Sequence, residues 1–221
     1  MKGSMMDYPL TLQSILERIP KTYPKVEIVS RRADGGLHRY SYLDFYGRAK
    51  ALAEALHRAG LQPGDRVGTL CWNHSAHLEA YFGVPSAGGV VHTLNLRLHP
   101  QELAFIVNHA QDRFLIVDDV LLPLFEQFRD KVKPERVFIV SQQKQALASG
   151  MESYEELLAS ASGDYEFPRA DENDAAQCAS HQAQPATPRA CSTRTVRLFC
   201  MRWLFLCRTH SVFLSMTFVW H

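Results

Sequence analysis

The chain has 221 residues, 46% of them apolar and 21% charged, and a formal net charge of +1; that length can bury a sizeable core. All 23 Asp and Glu lie before Gln177, and the residues from Gln177 onward carry five arginines and no lysine. Residues 1–176 are therefore net acidic, which excludes the basic footprint of a nucleic-acid-binding protein.

Helix and strand signals alternate through the first 176 residues. Leu12, Ile15, Leu16 and Ile19 share one face of a helix predicted over Thr11–Ile19, ended by Pro20. Val26–Arg31 and Leu37–Tyr42 are strand-like, and Asp34-Gly35-Gly36 between them suits a hairpin turn. Ser41 with Asp44 opens the next helix in capping-box style. Its buried stripe is Ala49, Leu52, Ala53 and Leu56, with Arg48, Lys50, Glu54 and Arg58 predicted to face water. Gly60 closes it, and a strand over Arg66–Trp72 follows.

A helix over Ser75–Gly83 and a strand over Gly89–Leu94 come next. Pro100, at a first helical position, begins a helix carrying Leu103, Ile106 and Val107. The remaining elements are a strand at Phe114–Val117, a helix at Leu121–Val132, a strand at Arg136–Val140 and a short helix from Ser153 to Leu158. Short apolar strands alternating with helices predict an α/β fold with a mostly parallel sheet covered on both faces.

The pattern stops near Asp174. Gln177–Ser192 has no helical or strand period, and the apolar stretch after it has no polar face. This composition predicts a tail that does not pack as a domain. Arg197, Arg202, Arg208 and His210 interrupt the run from Val196 to Trp220, which disfavours a membrane span.

Cys71 is the single cysteine of the first 176 residues. Cys178, Cys191, Cys200 and Cys207 crowd the tail without C-x-x-C spacing. That usage predicts a reducing, cytoplasmic setting and no zinc site. Lys2 is followed by polar and acidic residues, so no secretory signal is predicted.

Several residues invite a chemical reading. His74 and His77 sit three apart, but no third ligand is near, and a polar helix face accounts for both. Asp118-Asp119 follow a strand, where α/β sheets place functional carboxylates; a capping role for the helix beginning near Leu121 accounts for them too. Cys71 with His74 could form a nucleophile and base, whereas the apolar strand around Cys71 predicts a buried thiol. Gly83, Gly88 and Gly89 make no phosphate-binding fingerprint and are expected to allow close packing. No catalytic, cofactor-binding or metal-binding residue is assigned.

Two blocks resemble the AMP-forming acyl-CoA synthetases, especially those acting on medium- and long-chain fatty acids. One runs from Gly64 to Asn73 (GDRVGTLCWN) and on through His77 to Pro85 (HLEAYFGVP). The other runs from Val91 to Leu98 (VHTLNLRL) and on through Pro100 to His109 (PQELAFIVNH). Tyr40-Ser41-Tyr42 before the Ala- and Leu-rich helix is similar to that family as well. The resemblance covers roughly residues 10 to 176. It implies the large domain of an adenylate-forming enzyme, with ATP, magnesium and CoA used in two steps. Carboxylate and ATP give an acyl-adenylate and pyrophosphate, and the CoA thiol then displaces AMP.

The resemblance also implies a loop of pattern S-G-T-T-G-x-P-K-G shortly after Asp174-Ala175-Ala176. Its glycines let backbone N–H groups reach the phosphates and its lysine adds charge. Residues 182–188 instead read QAQPATP. Read from the third base of each codon, however, the junctions from His181/Gln182 to Arg189/Ala190 allow S-G-T-T-G-N-P-K-G. The same frame allows V-L-Y-S-H-R up to Val196, and V-L-H-A-M-A farther on. The missing acids, missing lysines and lost periodicity then share one cause: residues 177–221 read as an out-of-frame tail on a partial AMP-binding domain of residues 1–176.

The expected product is a truncated fatty-acid–CoA ligase, inactive as this chain and binding none of the family's cofactors. The alternatives are a non-catalytic module pairing with a full-length paralogue or with itself, and a fragment anchored through Phe199–Trp220. No nucleic-acid or membrane partner is expected.

Overall fold

The computed structural model describes residues 9–141, 150–181 and 189–194, with only the backbone described at Ser180, His181 and 189–194. Helix α1 (Leu12–Thr22) is capped by Thr11, whose hydroxyl accepts from Ser14 N, and buries Leu12, Ile15, Leu16 and Ile19. Pro20 does not end it. One backbone donor is lost, yet the chain stays helical to Thr22, and Tyr23 N still donates to Ile19 O.

Strands β1 (Glu27–Arg31) and β2 (Leu37–Ser41) pair antiparallel as a separate hairpin. Ser41 then caps α2 (Tyr42–Arg58) in the expected reciprocal box with Asp44. The water-facing assignment fails at two positions of α2. Glu54 is buried and accepts from Ser162 N, Ser162 Oγ and Gly163 N. Arg48 turns toward α3, for reasons given below.

The main sheet has seven strands. Its parallel members are β3 (Arg66–Leu70), β4 (Val90–Thr93), β5 (Asp112–Asp118), β6 (Arg136–Val140), β7 (Glu152–Ser153) and β8 (Ala175–His181); β9 (Arg189–Arg194) pairs antiparallel with β8. The spatial order is β7-β6-β5-β3-β4-β8-β9. The fold is α/β with a mostly parallel sheet flanked by helices, as the alternating pattern predicts. The composition break at Gln177 falls inside β8, where Gln177, Cys178 and Ala179 pair with Val91, His92 and Thr93. A strand ladder is made by backbone groups, so small side chains such as Ala179 can occupy it whatever selected them. The expectations for 195–221 lie outside the described residues.

Alternation along the strands buries both faces of the main sheet, and a third cluster joins α1 and the hairpin to the helices. One face carries Val67, Cys71, Val91, Phe114, Ile116 and Phe138 and is covered by α2, α3 (Ser75–Ser86) and α6 (Tyr154–Ala159). The other carries Leu70, Leu115, Val117 and Ile139 and is covered by α4 (Pro100–Ala110), with Pro100 at its start and a capping box between His99 and Glu102. The helix expected over Leu121–Val132 is broken. Only α5 (Leu122–Phe125) is α-helical, with short 3-10 turns on either side. Phe125 and Phe128 both turn into the core, edge to face at 5.4 Å, and Phe128 takes φ −131, which ends the helical path.

Glycine is required where elements meet most closely. A Cβ at Gly83 would lie 2.9 Å from Ala49 O, so α2 and α3 touch through it. A Cβ at Gly68 would lie 2.5 Å from Leu115 Cδ2 and 2.8 Å from Asp112 Oδ2. Gly68→Ala is expected to lower stability by about 2 kcal/mol, the usual scale of overpacking a filled core. Urea unfolding checks this, and an unchanged midpoint would contradict it.

Candidate functional site

In open parallel sheets, ligand crevices form beyond the carboxyl ends of strands whose connections leave in opposite directions. Here β3 leads through α3 to β4 on one side, and β5 leads to β6 on the other. The crevice between β3 and β5 is therefore flanked by Cys71-Trp72-Asn73-His74 and Asp118-Asp119.

Asp118 is fully buried there. It accepts from Trp72 N at 2.7 Å, and His74 Nε2 lies 2.6 Å from its other oxygen. It stands at the N-cap position of the 3-10 turn Asp119–Leu121, but its side chain makes no capping bond, contrary to expectation. A carboxylate this deep is held by the two polar groups that the chain after β3 delivers to it. Asp119, also buried, takes a 3.4 Å contact from Ser141 Oγ.

The predicted polar face of His74 and His77 is not observed, because α3 is covered by α2 on one side and the sheet on the other. His74 precedes α3 and is tied to Asp118. His77 is buried, with Nε2 3.2 Å from Thr69 Oγ1 and its ring 4.8 Å from that of Tyr81. The two histidines are not brought to one ligand.

Cys71 is buried with its thiol toward Ile116 O at 3.5 Å, and burial pushes that thiol well above its ordinary pKa. His74 serves Asp118, so the pair does not form a nucleophile and base. Cys71 is expected to stay unalkylated by iodoacetamide at pH 8 in the native chain and to react in urea. Peptide mapping separates it from the tail cysteines, and native labelling at Cys71 would contradict its burial.

Two buried polar groupings escaped the sequence reading. Glu79 of α3 is 1% exposed and accepts from Arg48 Nε at 2.7 Å and from Tyr154 OH at 2.9 Å. Arg48 also forks onto Glu155 at 2.9 and 2.6 Å, tying α2, α3 and α6 together. Burial holds Glu79 above the usual carboxylate range, against the pull of Arg48. The available signal was Glu79 itself, a lone acid in the otherwise apolar run from Leu78 to Val84.

The second grouping is His92 with Asp112, both side chains wholly buried and 2.8 Å apart. They meet over the space that Gly68 leaves open, and burial raises the Asp112 carboxyl. Both groupings fasten elements to one another. Among the described residues no three His, Cys, Asp or Glu side chains gather as a metal-ligand set, and no helix is long and apolar enough to cross a membrane.

The remaining feature of the carboxyl edge is β8. Parallel to β4, it delivers the chain to the edge just beyond His181, and β9 brings it back from Arg189. A loop between such strands stands where α/β sheets hold phosphates. The seven residues between β8 and β9 lie outside the described residues.

Comparison with known proteins gives these features a family. The family model described as AMP-binding enzyme matches residues 16–188. The chain is 40% identical over 179 residues to a 3-methylmercaptopropionyl-CoA ligase of Ruegeria lacuscaerulensis, covering 79% of this chain and 33% of that protein. It is 45% identical over 156 residues to a long-chain-fatty-acid–CoA ligase of Thermus thermophilus, covering 71% and 28%. The chain thus spans about a third of the length of these relatives. In fold it is similar to a long-chain-fatty-acid-CoA ligase from Archaeoglobus fulgidus, with TM-score 0.76 at 18% identity over 93% of this chain and 41% of that one. Similarity in sequence to acyl-CoA ligases and in fold to their solved structures accompanies the family match over most of the chain, and the chain belongs to the AMP-binding enzyme family.

Proposed function

We propose that this chain is the N-terminal portion of a fatty-acid–CoA ligase that does not carry the reaction by itself. The observation that carries the reading is the stretch between β8 and β9. The sheet brings the chain to the carboxyl edge where a phosphate loop would open, yet residues 182–188 contain no glycine and no lysine. Without them, backbone N–H groups have no close approach to a triphosphate and the lysine that would help neutralise it is missing. ATP, magnesium and CoA are accordingly substrates and cofactor of the family reaction and not ligands of this chain.

Residues 177–221 are, on this reading, codons translated one base out of register. Restoring one base near codon 177 returns the S-G-T-T-G-N-P-K-G loop. The scarcity of cysteine before Gln177 supports a reducing, cytoplasmic setting. The test is fatty-acyl-CoA formation by the frame-restored product beside this chain. Activity confined to the restored product supports the reading, and activity in both or in neither overturns it.

A further inference from the structure

We propose that Asp34 is a site of covalent self-modification, where the side chain closes onto the amide of Gly35 and reopens as isoaspartate. The dipeptide stands alone in the sequence. No other Asp and no Asn of the chain is followed by glycine. Glycine has no side chain beside its amide nitrogen, so it hinders ring closure least.

The fold places the pair where that reaction can proceed. Residues 31–37, which end β1 and open β2, are all exposed. Gly35 N donates to Arg32 O at 3.0 Å, Arg32 N donates to Gly36 O at 2.8 Å, and Gly35 takes φ +83. The tip is therefore a four-residue turn from Arg32 to Gly35 that ends on a left-handed glycine. Asp34 holds the third position of the turn. Its Oδ1 accepts from Gly36 N at 2.8 Å, so the carboxyl is folded forward along the chain, over Gly35. A Cβ built at Gly35 would meet nothing within 4 Å, so no other part of the fold crowds the amide. The bond from Gly35 N to Arg32 O lies at the surface and can open without moving a buried side chain. Asp112, Asp118 and Asp119, by contrast, are buried and precede Arg113, Asp119 and Val120.

The chemistry balances within the chain and water. Gly35 N gives up its proton and bonds to Asp34 Cγ; the carboxyl hydroxyl leaves with that proton as water, and a five-membered succinimide remains. Water then adds to one of the two ring carbonyls. Where it adds to the original backbone carbonyl, the C–N bond there breaks, and the main chain runs on through Cβ and Cγ. The original backbone carboxyl becomes the side chain. Mass and redox state are unchanged. The product lengthens the backbone by one carbon inside a turn closed between Arg32 and Gly36, so the isomerised hairpin loses that closing geometry. This modification is independent of the reaction proposed above.

The test is prolonged incubation of the full chain at pH 6, native and in guanidinium chloride, beside the variant Asp34→Glu. Glutamate keeps the charge but would have to close a six-membered ring, which forms far more slowly. Circular dichroism checks that both native samples stay folded. Trypsin releases residues 33–39 between Arg32 and Arg39, and electron-transfer fragmentation tells the two isomers apart at equal mass. The proposal expects isoaspartate at Asp34 in the native chain at a rate within about threefold of the denatured one, because the tip opens without the core. Asp34 should also exceed every other Asp and Asn of the native chain by at least about tenfold, since it alone precedes glycine. The Asp34→Glu variant should show no isomer of that peptide. Isomerisation in guanidinium chloride but not in the native chain would show that the turn protects Asp34 and overturns the proposal. So do an equal yield at another Asp or Asn, an isomer persisting in Asp34→Glu, and no isoaspartate in either state.

Discussion

Given ATP, magnesium, CoA and a medium- or long-chain fatty acid, this chain is expected to form no acyl-CoA, while the frame-restored product forms it roughly a thousandfold faster or more. The size follows from what the loop supplies. Charge on a transferring phosphoryl or adenylyl group is stabilised by preorganised donors, and deleting even one such donor costs on the order of a hundredfold or more. Replacing S-G-T-T-G-N-P-K-G removes several backbone donors and a lysine together. Nothing among the described residues compensates: the buried histidines and carboxylates of the sheet are each engaged with another part of the fold. Carboxylate-dependent ATP–pyrophosphate exchange reads the first step alone and should be absent from this chain. Exchange with any fatty acid would contradict the assignment.

The second large effect concerns stability. Arg48→Ala is expected to destabilise the chain by about 3 kcal/mol at neutral pH, because it leaves Glu79 buried without its cation. Tyr154 still donates to Glu79, but a neutral hydroxyl does not balance a buried charge. The pH dependence has a definite sign. The folded pKa of Glu79 is already raised by burial, so its protonated form favours the fold; that contribution is present below the ordinary carboxylate value and is lost as pH rises through the raised one. Removing Arg48 lifts the folded value further. The variant's deficit should therefore be largest at neutral pH and shrink on acidification as Glu79 takes up a proton. Urea unfolding of both proteins from pH 5 to pH 8 checks this, and a deficit that grows toward acid would contradict it.

These two groups show which parts of the fold periodicity could reveal. Runs with a β-branched or aromatic residue at every position, such as Val137 to Val140, announce a sheet buried on both sides. Ser41 with Asp44, and Pro100 with Glu102, mark helix starts through local chemistry, and both appear where expected. Arg48, Glu54, His77 and Glu79 did not yield to the same reading. A charged residue on a helix is assigned to water by default, and its partner lies on an element distant in sequence: Glu155 for Arg48, Ser162 for Glu54, Tyr154 for Glu79. Asp118 misleads for the same reason. Its position after a strand suggests a cap or an active carboxylate, while its partners come from the neighbouring strand's end, set by sheet order and not by spacing along the chain. Pairing across the hairpin was legible at Asp34-Gly35-Gly36, but the exposure of its outer face was not, because alternation assigns sides without saying what covers them.

The central claim, that the residues after Asp174-Ala175-Ala176 are a displaced frame of a phosphate loop, is tested most directly by the bases of the gene from codon 177 onward. The account predicts that, read one base over, the codons from His181 to Val196 spell S-G-T-T-G-N-P-K-G-V-L-Y-S-H-R, and that the frame runs on well beyond residue 221. Stop codons in that frame, or an unrelated peptide across His181 to Val196, would contradict it.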